Sequence, residues 1–374
     1  MPLTRPTSPP GLSCDPVDEE LLRAGVEAAL AKFLAGQSAV LAGISPQLAP
    51  LAGAVREFVA GGKRLRPAFC YWGWRGAGGA AGDPGALAAC AALELLQACA
   101  LAHDDLIDRS DTRRGRPALH RSFESLHRGS GWRGDAAQYG AATALLLGDL
   151  LLVWCDALLW DCGLDRDAVR RAKPLFDLMR TEVMAGQYLD MLEPAAGWQD
   201  PHPDAALERA TTVIHFKSAK YTVERPLQIG GLLAGADPAL TEAYAAFGLP
   251  LGEAFQLRDD LLGVYGDPLL TGKPAGDDLR EGKRTLLVAE TLAGCSAADR
   301  RLLDDLLAAP ERDDRQAELI RTVITRSGAP ERVETRIGAL LRESLVALDE
   351  APLVDPEARR VLRRLAAAAT TRRY

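Results

Sequence analysis

The sequence predicts an all-α fold, and three observations carry that reading. Alanine, leucine and arginine dominate while aromatic residues make up 6%, and alternating β-branched runs are scarce, so the composition favours helices over sheets. Apolar side chains recur at helical spacing along most of the chain. At 374 residues the chain exceeds the usual size of one core, yet no Ser/Gly linker or charge block divides its middle. One large domain over residues 15–374 is therefore expected.

Composition also narrows the function classes. A net charge of −7 and a pI near 5.4 are the wrong balance for gripping a phosphate backbone, so no nucleic-acid partner is expected. The seven cysteines (Cys14, Cys70, Cys90, Cys99, Cys155, Cys162, Cys295) are odd in number and scattered, and most sit in apolar helical runs where a thiol behaves as a small hydrophobe. Neither a disulfide framework nor a zinc site is indicated. The N-terminus is proline-rich without an apolar core, so it reads as neither signal peptide nor anchor, and disorder is expected over 1–14. The longest apolar run, Ala86 to Ala102, carries Glu94 and Gln97 and stops at three aspartates, which makes a poor membrane span. A soluble cytoplasmic protein with no transmembrane segment is expected.

Taken in order, a first helix is expected from about Asp15 to Ala42. Leu21, Leu22, Val26, Leu30, Phe33 and Leu34 fall at helical spacing, and Asp15-Pro16 supplies a cap and first turn. After a break at Pro46, a second helix ends at Gly61-Gly62. Lys63-Arg64-Leu65-Arg66-Pro67 then crowds cations into a loop before the next helix, which in form is an anion site. A basic turn after a glycine C-cap has the same sequence pattern. Gly76–Gly85 reads as a loop.

The helix from Ala86 ends in Asp104-Asp105-Leu-Ile-Asp108, where spacing of four turns Asp104 and Asp108 the same way. Bare carboxylates so placed repel. Their counter-charge is either Arg109, Arg113 and Arg114 or a Mg²⁺ ion, which takes one or two carboxylates, keeps waters and completes its shell with substrate phosphate oxygens. His127–Asp135, glycine-rich and polar, is expected to be a mobile loop or lid. Gly140–Trp160 is another apolar helix, in which a buried Asp149 would need a partner.

Thr181–Asp190 is helical with Gln187 and Asp190 on one face, and His215–Tyr221 sets Lys217 and Ser218 amid apolar neighbours. A second acidic pair, Asp259-Asp260, again ends an apolar helical stretch. Two such helices facing each other across one cavity would offer carboxylates from opposite walls to a cluster of metal ions. The run from Gly266 through Lys273 to Lys283, dense in Gly, Pro, Lys and Asp, reads as a long functional loop. The remainder to Tyr374 is helical.

These stretches, in this order, resemble the trans-isoprenyl diphosphate synthases, or polyprenyl synthetases: Gly61-Gly-Lys-Arg-Leu-Arg-Pro67, Asp104-Asp-Leu-Ile-Asp108, Arg113-Arg-Gly115, Gly186-Gln187, Lys217-Ser218, Phe255-Gln256 with Asp259-Asp260, and Gly282-Lys283. The likeness covers nearly the whole chain from about residue 20 onward. The arginine-rich, high-alanine style looks like actinobacterial geranylgeranyl diphosphate synthases.

What the resemblance implies is specific. The fold would be the type I isoprenoid synthase fold, a single large bundle of antiparallel helices around a central cavity, assembled as a homodimer. The reaction would condense isopentenyl diphosphate head-to-tail with an allylic diphosphate (dimethylallyl, geranyl or farnesyl) to a trans-polyprenyl diphosphate, foremost geranylgeranyl diphosphate. By the same transfer Asp104 and Asp108 hold two Mg²⁺ ions and Asp259 a third, with Mn²⁺ a substitute, and Asp105 and Asp260 belong to the same catalytic set. Arg113, Lys217, Gln256 and Lys283 look like donors to the allylic diphosphate, and Lys63, Arg66 and Arg114 would hold isopentenyl diphosphate. Arg64, Gln97, Ser218 and Lys273 join the substrate-binding set.

The chain departs from the family pattern at Gly263, where a third aspartate is typical, at Gln97, where many members carry histidine, and at Ser218, which replaces threonine. The product grows down the helix of the first motif, so Cys99 and Ala100, small residues one turn before Asp104, leave the floor open. Products beyond farnesyl length are expected, with Leu96 and Leu93 the next barrier. Lys63, Arg66 and Arg114 argue against a class I terpene cyclase, while Gly263 and Gln97 keep a non-catalytic partner subunit in play.

Overall fold

The computed structural model describes residues 16–197, 203–266, 276–309 and 312–371. The segment 1–14, Cys14 and Lys273 lie outside the described residues. Contacts gather the chain into two units. The first comprises Val17–Lys173 with Ile229–Ala236, and the second Pro174–Gln228 with Asp237–Tyr374.

The first unit begins with α1 (Pro16–Ile44), whose Leu22, Val26, Leu30 and Leu34 form a buried stripe at spacing of four, as an amphipathic helix requires. A 3₁₀ turn (Pro46–Leu48) leads to α2 (Ala49–Val59), and α3 (Leu65–Gly76) follows the Gly61-Gly62 break. α4 (Pro84–Ile107) starts where the Asp83 side chain accepts from the Ala86 N–H at 2.8 Å, with Pro84 pre-set for the first turn. It is apolar nearly all round and is enclosed by α2, α3, α5 (Leu119–Gly129) and α6 (Ala136–Trp160). Leu93, Leu95 and Leu96 are at most 1% exposed, and truncating any of them to alanine would cost about 2–5 kcal/mol.

Between α4 and α5 lies an element that the helical reading does not contain, a hairpin of β1 (Thr112–Arg113) and β2 (Arg116–Pro117). Its two-residue turn places Arg114 and Gly115 at φ of 53° and 71°, the left-handed pair that such turns use.

Two expectations are corrected here. His127–Asp135 is not a loose lid: α5 runs through Gly129, Trp132 packs edge-on to His127 and Tyr139 at 5.9 and 5.4 Å, and the Asp135 side chain caps α6 on the Ala137 N–H at 2.8 Å. Asp149 is not buried either, because its side chain is 59% exposed, with His103 Nε2 3.8 Å away.

α7 (Arg166–Ala196) and α9 (Arg225–Ala234) are each divided between the units. The second unit adds α8 (Pro203–Val213), a π-helix (Ile214–Glu224), α10 (Pro238–Tyr265), α11 (Asp277–Glu281), α12 (Leu286–Gly294), α13 (Ala297–Ala308), α14 (Asp314–Arg326), α15 (Ala329–Glu350) and α16 (Pro356–Thr370). α10 is its axis, packed against the π-helix, α12, α15 and α16. Leu257, Leu261, Leu286, Ile320 and Val333 sit in the core around it. Glu253, buried on α10, accepts from His215 Nε2 at 3.1 Å and Arg336 Nε at 2.7 Å, so its burial is compensated. α11 interrupts the long loop expected from Gly266 to Lys283.

α4, discounted above as a span, and α6 are both long and apolar enough to cross a membrane by length and composition. The most apolar stretch of α4 is 72% buried inside the protein and that of α6 50%, as in core helices of a folded domain.

Candidate active site

The end of α4 sorts its carboxylates by direction. Adjacent helical residues diverge, so Asp104 and Asp105 cannot share a face. Asp105 is fully buried, whereas Asp104 and Asp108 are partly open, on the stripe that also leaves Gln97 and Ala100 partly open. Asp105 holds Arg113 of the hairpin: Nε donates to Asp105 Oδ1 at 2.7 Å, Nη2 donates to the same oxygen, and Nη2 also reaches Asp104 Oδ2 at 3.3 Å. Burial pushes the Asp105 carboxyl up, and the Arg113 hydrogen bond and charge oppose that. Burial disfavours charge on Arg113, but Asp105, Asp104 and Asp108 together raise it above its ordinary value.

The expected anion loop is only partly a surface feature. Arg64, expected among the substrate-binding residues, is buried: its guanidinium pairs with the buried Glu94 of α4 and donates to Val59 O at 2.9 Å. Arg114, by contrast, stands over Gly62, whose added Cβ would lie 3.0 Å from Nη2. Its charge is disfavoured first by burial and then, with only Glu94 in opposition, by Arg64, Arg113 and Arg66. The hairpin and the Lys63 loop therefore build one cluster of mutually repelling guanidiniums, which an anion would relieve. Of the residues expected to set chain length, Leu96 and Cys99 are fully buried. The Cys99 thiol, 3.9 Å from His103 Nδ1, is pushed up to about 12 by burial and the charge of Asp149.

The second unit repeats the sorting on α10. Asp259 is exposed and Asp260 buried. Asp260 Oδ1 accepts from Gln256 Nε2 at 2.8 Å, and Gln256 Oε1 accepts from Ser218 Oγ at 2.6 Å. Burial lifts the Asp260 carboxyl to about 8; the Gln256 bond opposes this, and Asp278, Asp259 and Asp190 add to it. Lys217 sits beside Ser218 on the π-helix, its Nζ 2.5 Å from Asp190 Oδ2 on α7. Two glycines make that crowding feasible. A Cβ on Gly186 of α7 would come 2.3 Å from Lys217 N, and one on Gly252 of α10 2.6 Å from Ala219 Cα, so helix backbones meet the π-helix directly. Lys283 follows α11, with Nζ 2.7 Å from Glu281 Oε2.

Glu94, Asp190 as the partner of Lys217, and Asp278 are absent from the expected site. Glu94 had a sequence signal, since a carboxylate within so apolar a helical run requires a buried cation. Asp278 had none beyond its place in an acidic, glycine-bounded run.

The sequence pattern of the Polyprenyl synthetase family matches residues 49–324. Geranylfarnesyl diphosphate synthase of Aeropyrum pernix is 31% identical over 81% of this chain and 88% of its own length. The (2E,6E)-farnesyl diphosphate synthase of Mycobacterium tuberculosis is 36% identical over 64% of this chain and 60% of its own. Among solved structures, geranylgeranyl pyrophosphate synthase from Corynebacterium glutamicum, complexed with isoprenyl diphosphate and magnesium, aligns with a TM-score of 0.88 at 40% identity, over 95% of this chain and 99% of that one. Motif order, the paired open and buried aspartates and these likenesses agree: the chain belongs to the polyprenyl synthetase family.

Proposed function

We propose that this trans-prenyltransferase condenses isopentenyl diphosphate with allylic diphosphates to give mainly geranylgeranyl diphosphate. The observation that carries the synthase reading is the like charge of Arg66 acting on Arg114, beside the Arg113 that serves the allylic diphosphate, because a cyclase has no second diphosphate to hold.

Asp104, Asp108 and Asp259 are donors that suit Mg²⁺, which takes one or two carboxylates and leaves the rest of its shell to water and phosphate. Asp104 and Asp108 would hold two ions and Asp259 a third, and Mg²⁺ when bound acts as a Lewis acid on the leaving diphosphate. Arg113, kept cationic and fixed by Asp105, and Lys217, held by Asp190, are preplaced charges for the diphosphate oxygens, with Lys283 a further one. Gln256 is oriented by Ser218 and Asp260. Lys63, Arg66 and Arg114 bind isopentenyl diphosphate, with Gln97 on the same α4 stripe. Arg64 is left out of that set because its charge neutralises Glu94.

With the charges so placed, the allylic C–O bond breaks with its electron pair passing to diphosphate. The isopentenyl double bond attacks the allylic carbon, and the proton then lost goes to the departed diphosphate. No protein nucleophile is required. Ala100, on the open stripe of α4, leaves room for a growing chain. We further propose a cytoplasmic homodimer, supported by the family and by Leu145, Leu146 and Val153 exposed together on α6.

Purified protein incubated with Mg²⁺, isopentenyl diphosphate and each allylic primer separately tests this. Elongation to geranylgeranyl diphosphate is expected. No elongation with any primer would overturn the reading in favour of a binding subunit, and a cyclic hydrocarbon would do so in favour of a cyclase.

A further inference from the structure

One carboxylate reaches the second acidic site from outside its helix. Gly263 follows Asp259 by four residues on α10, so the space above its Cα lies on the Asp259 face, one turn on. A Cβ placed there would lie 2.1 Å from Asp278 Oδ2. The Asp278 carboxylate thus occupies the room that a side chain at position 263 would take. The loop is tied down in that pose, since the Gly276 N–H donates to Gly263 O at 3.0 Å and the Lys283 N–H donates to Asp278 O at 3.1 Å. Lys283, one of the diphosphate donors, hangs from the same turn.

Resting on the metal assignment of the preceding section, we infer that Asp278 supplies the second carboxylate for the ion assigned to Asp259, directly or through a metal-bound water. Its carboxylate lies on the Asp259 face of α10, one turn on, at the space above Gly263. A side chain at 263 would displace the Asp278 carboxylate from this position. Gly263 is then a doorway for a ligand from the loop, and ion binding and placement of Lys283 become one event.

The test follows thermal denaturation of the full chain in inorganic pyrophosphate as Mg²⁺ is titrated. For Asp278→Asn the half-saturating Mg²⁺ should rise about tenfold, with the melting point in metal-free buffer unchanged. Adding Gly263→Asp to that variant places a carboxylate in the same space from the helix side and should restore the wild-type midpoint. Gly263→Ala, which drives Asp278 away while leaving it charged, should raise the midpoint as Asp278→Asn does, and it serves if the latter fails to fold. Unchanged midpoints in both single variants, or no recovery in the double variant, would overturn the inference. A wild-type chain indifferent to Mg²⁺ and pyrophosphate would instead remove the metal assignment on which it rests.

Discussion

Asp105→Asn and Asp104→Asn, neighbouring and chemically equal changes, should fail in different ways. Asp105 is fully buried and carries two hydrogen bonds from Arg113, which is itself only 15% exposed. Neutralising it leaves a guanidinium enclosed without its main counter-ion, and breaking such a pair from one side costs about 3–5 kcal/mol. Arg113 keeps Asp104 at 3.3 Å, so the lower end applies: about 3 kcal/mol, or about 4 °C in melting temperature for a chain of this length. Asp104, 22% exposed, loses only a partly solvated contact, and Asp104→Asn should stay within about 1 kcal/mol of wild type. Its loss appears in catalysis instead, as a fall of about 10²-fold or more in condensation rate. Differential scanning calorimetry without metal and a radiolabelled isopentenyl diphosphate assay read the two quantities. Equal melting points for Asp105→Asn and wild type, or a larger thermal loss for Asp104→Asn, would refute the division into anchor and ligand.

Four further outcomes are expected. Glu253 is buried, but His215 and Arg336 hold its carboxyl below the ordinary value of 4.5; the unfolded chain therefore binds more protons just under that value, and stability present above it is lost as the pH falls through the lowered value. Glu253→Gln should flatten this acid limb in melts taken from pH 6 downward. Gly186→Ala should destabilise by about 1–3 kcal/mol in a denaturant titration, since its Cβ meets the Lys217 backbone rather than a movable side chain. Ala100→Phe should shorten the main product in chromatographic sizing; an unchanged product would remove the proposed floor. The buried Cys99, with a thiol raised to about 12, should resist iodoacetamide at pH 8 until denaturant is added.

Helix content and the polar stripes were legible because periodicity is a local property: the α1 stripe and the Asp83 cap of α4 follow from neighbours in sequence. The hairpin at Arg113–Arg116 was not, because its signal is an Arg-Gly turn within a run of cations and its strands are two residues each. The lid expected at His127–Asp135 failed for the same reason in reverse, since glycines are counted locally and the Trp132 clasp is not. At the site, residue types were readable but their division of labour was not. Arg64 and Arg66 are two apart in one basic run, yet only tertiary packing on Glu94 marks Arg64 as internal. Asp278 lies nineteen positions beyond Asp259, and no sequence rule brings it to Gly263.

The same asymmetry in both motifs explains why each is a doublet. A single open aspartate would offer a ligand but nothing to fix the diphosphate-binding groups around it. On a helix the next residue points inward, where Asp105 fixes Arg113 and Asp260 fixes Gln256, which in turn meets Ser218. Each inner carboxylate orients a polar group, so under the proposed assignment ligand and donor would be held by one turn of one helix. Rotating that turn would move the open aspartate and the group its neighbour holds together. A lone aspartate with a freely placed arginine would lose that coupling with each fluctuation, and with it the preorganised charge on which breaking the allylic C–O bond depends.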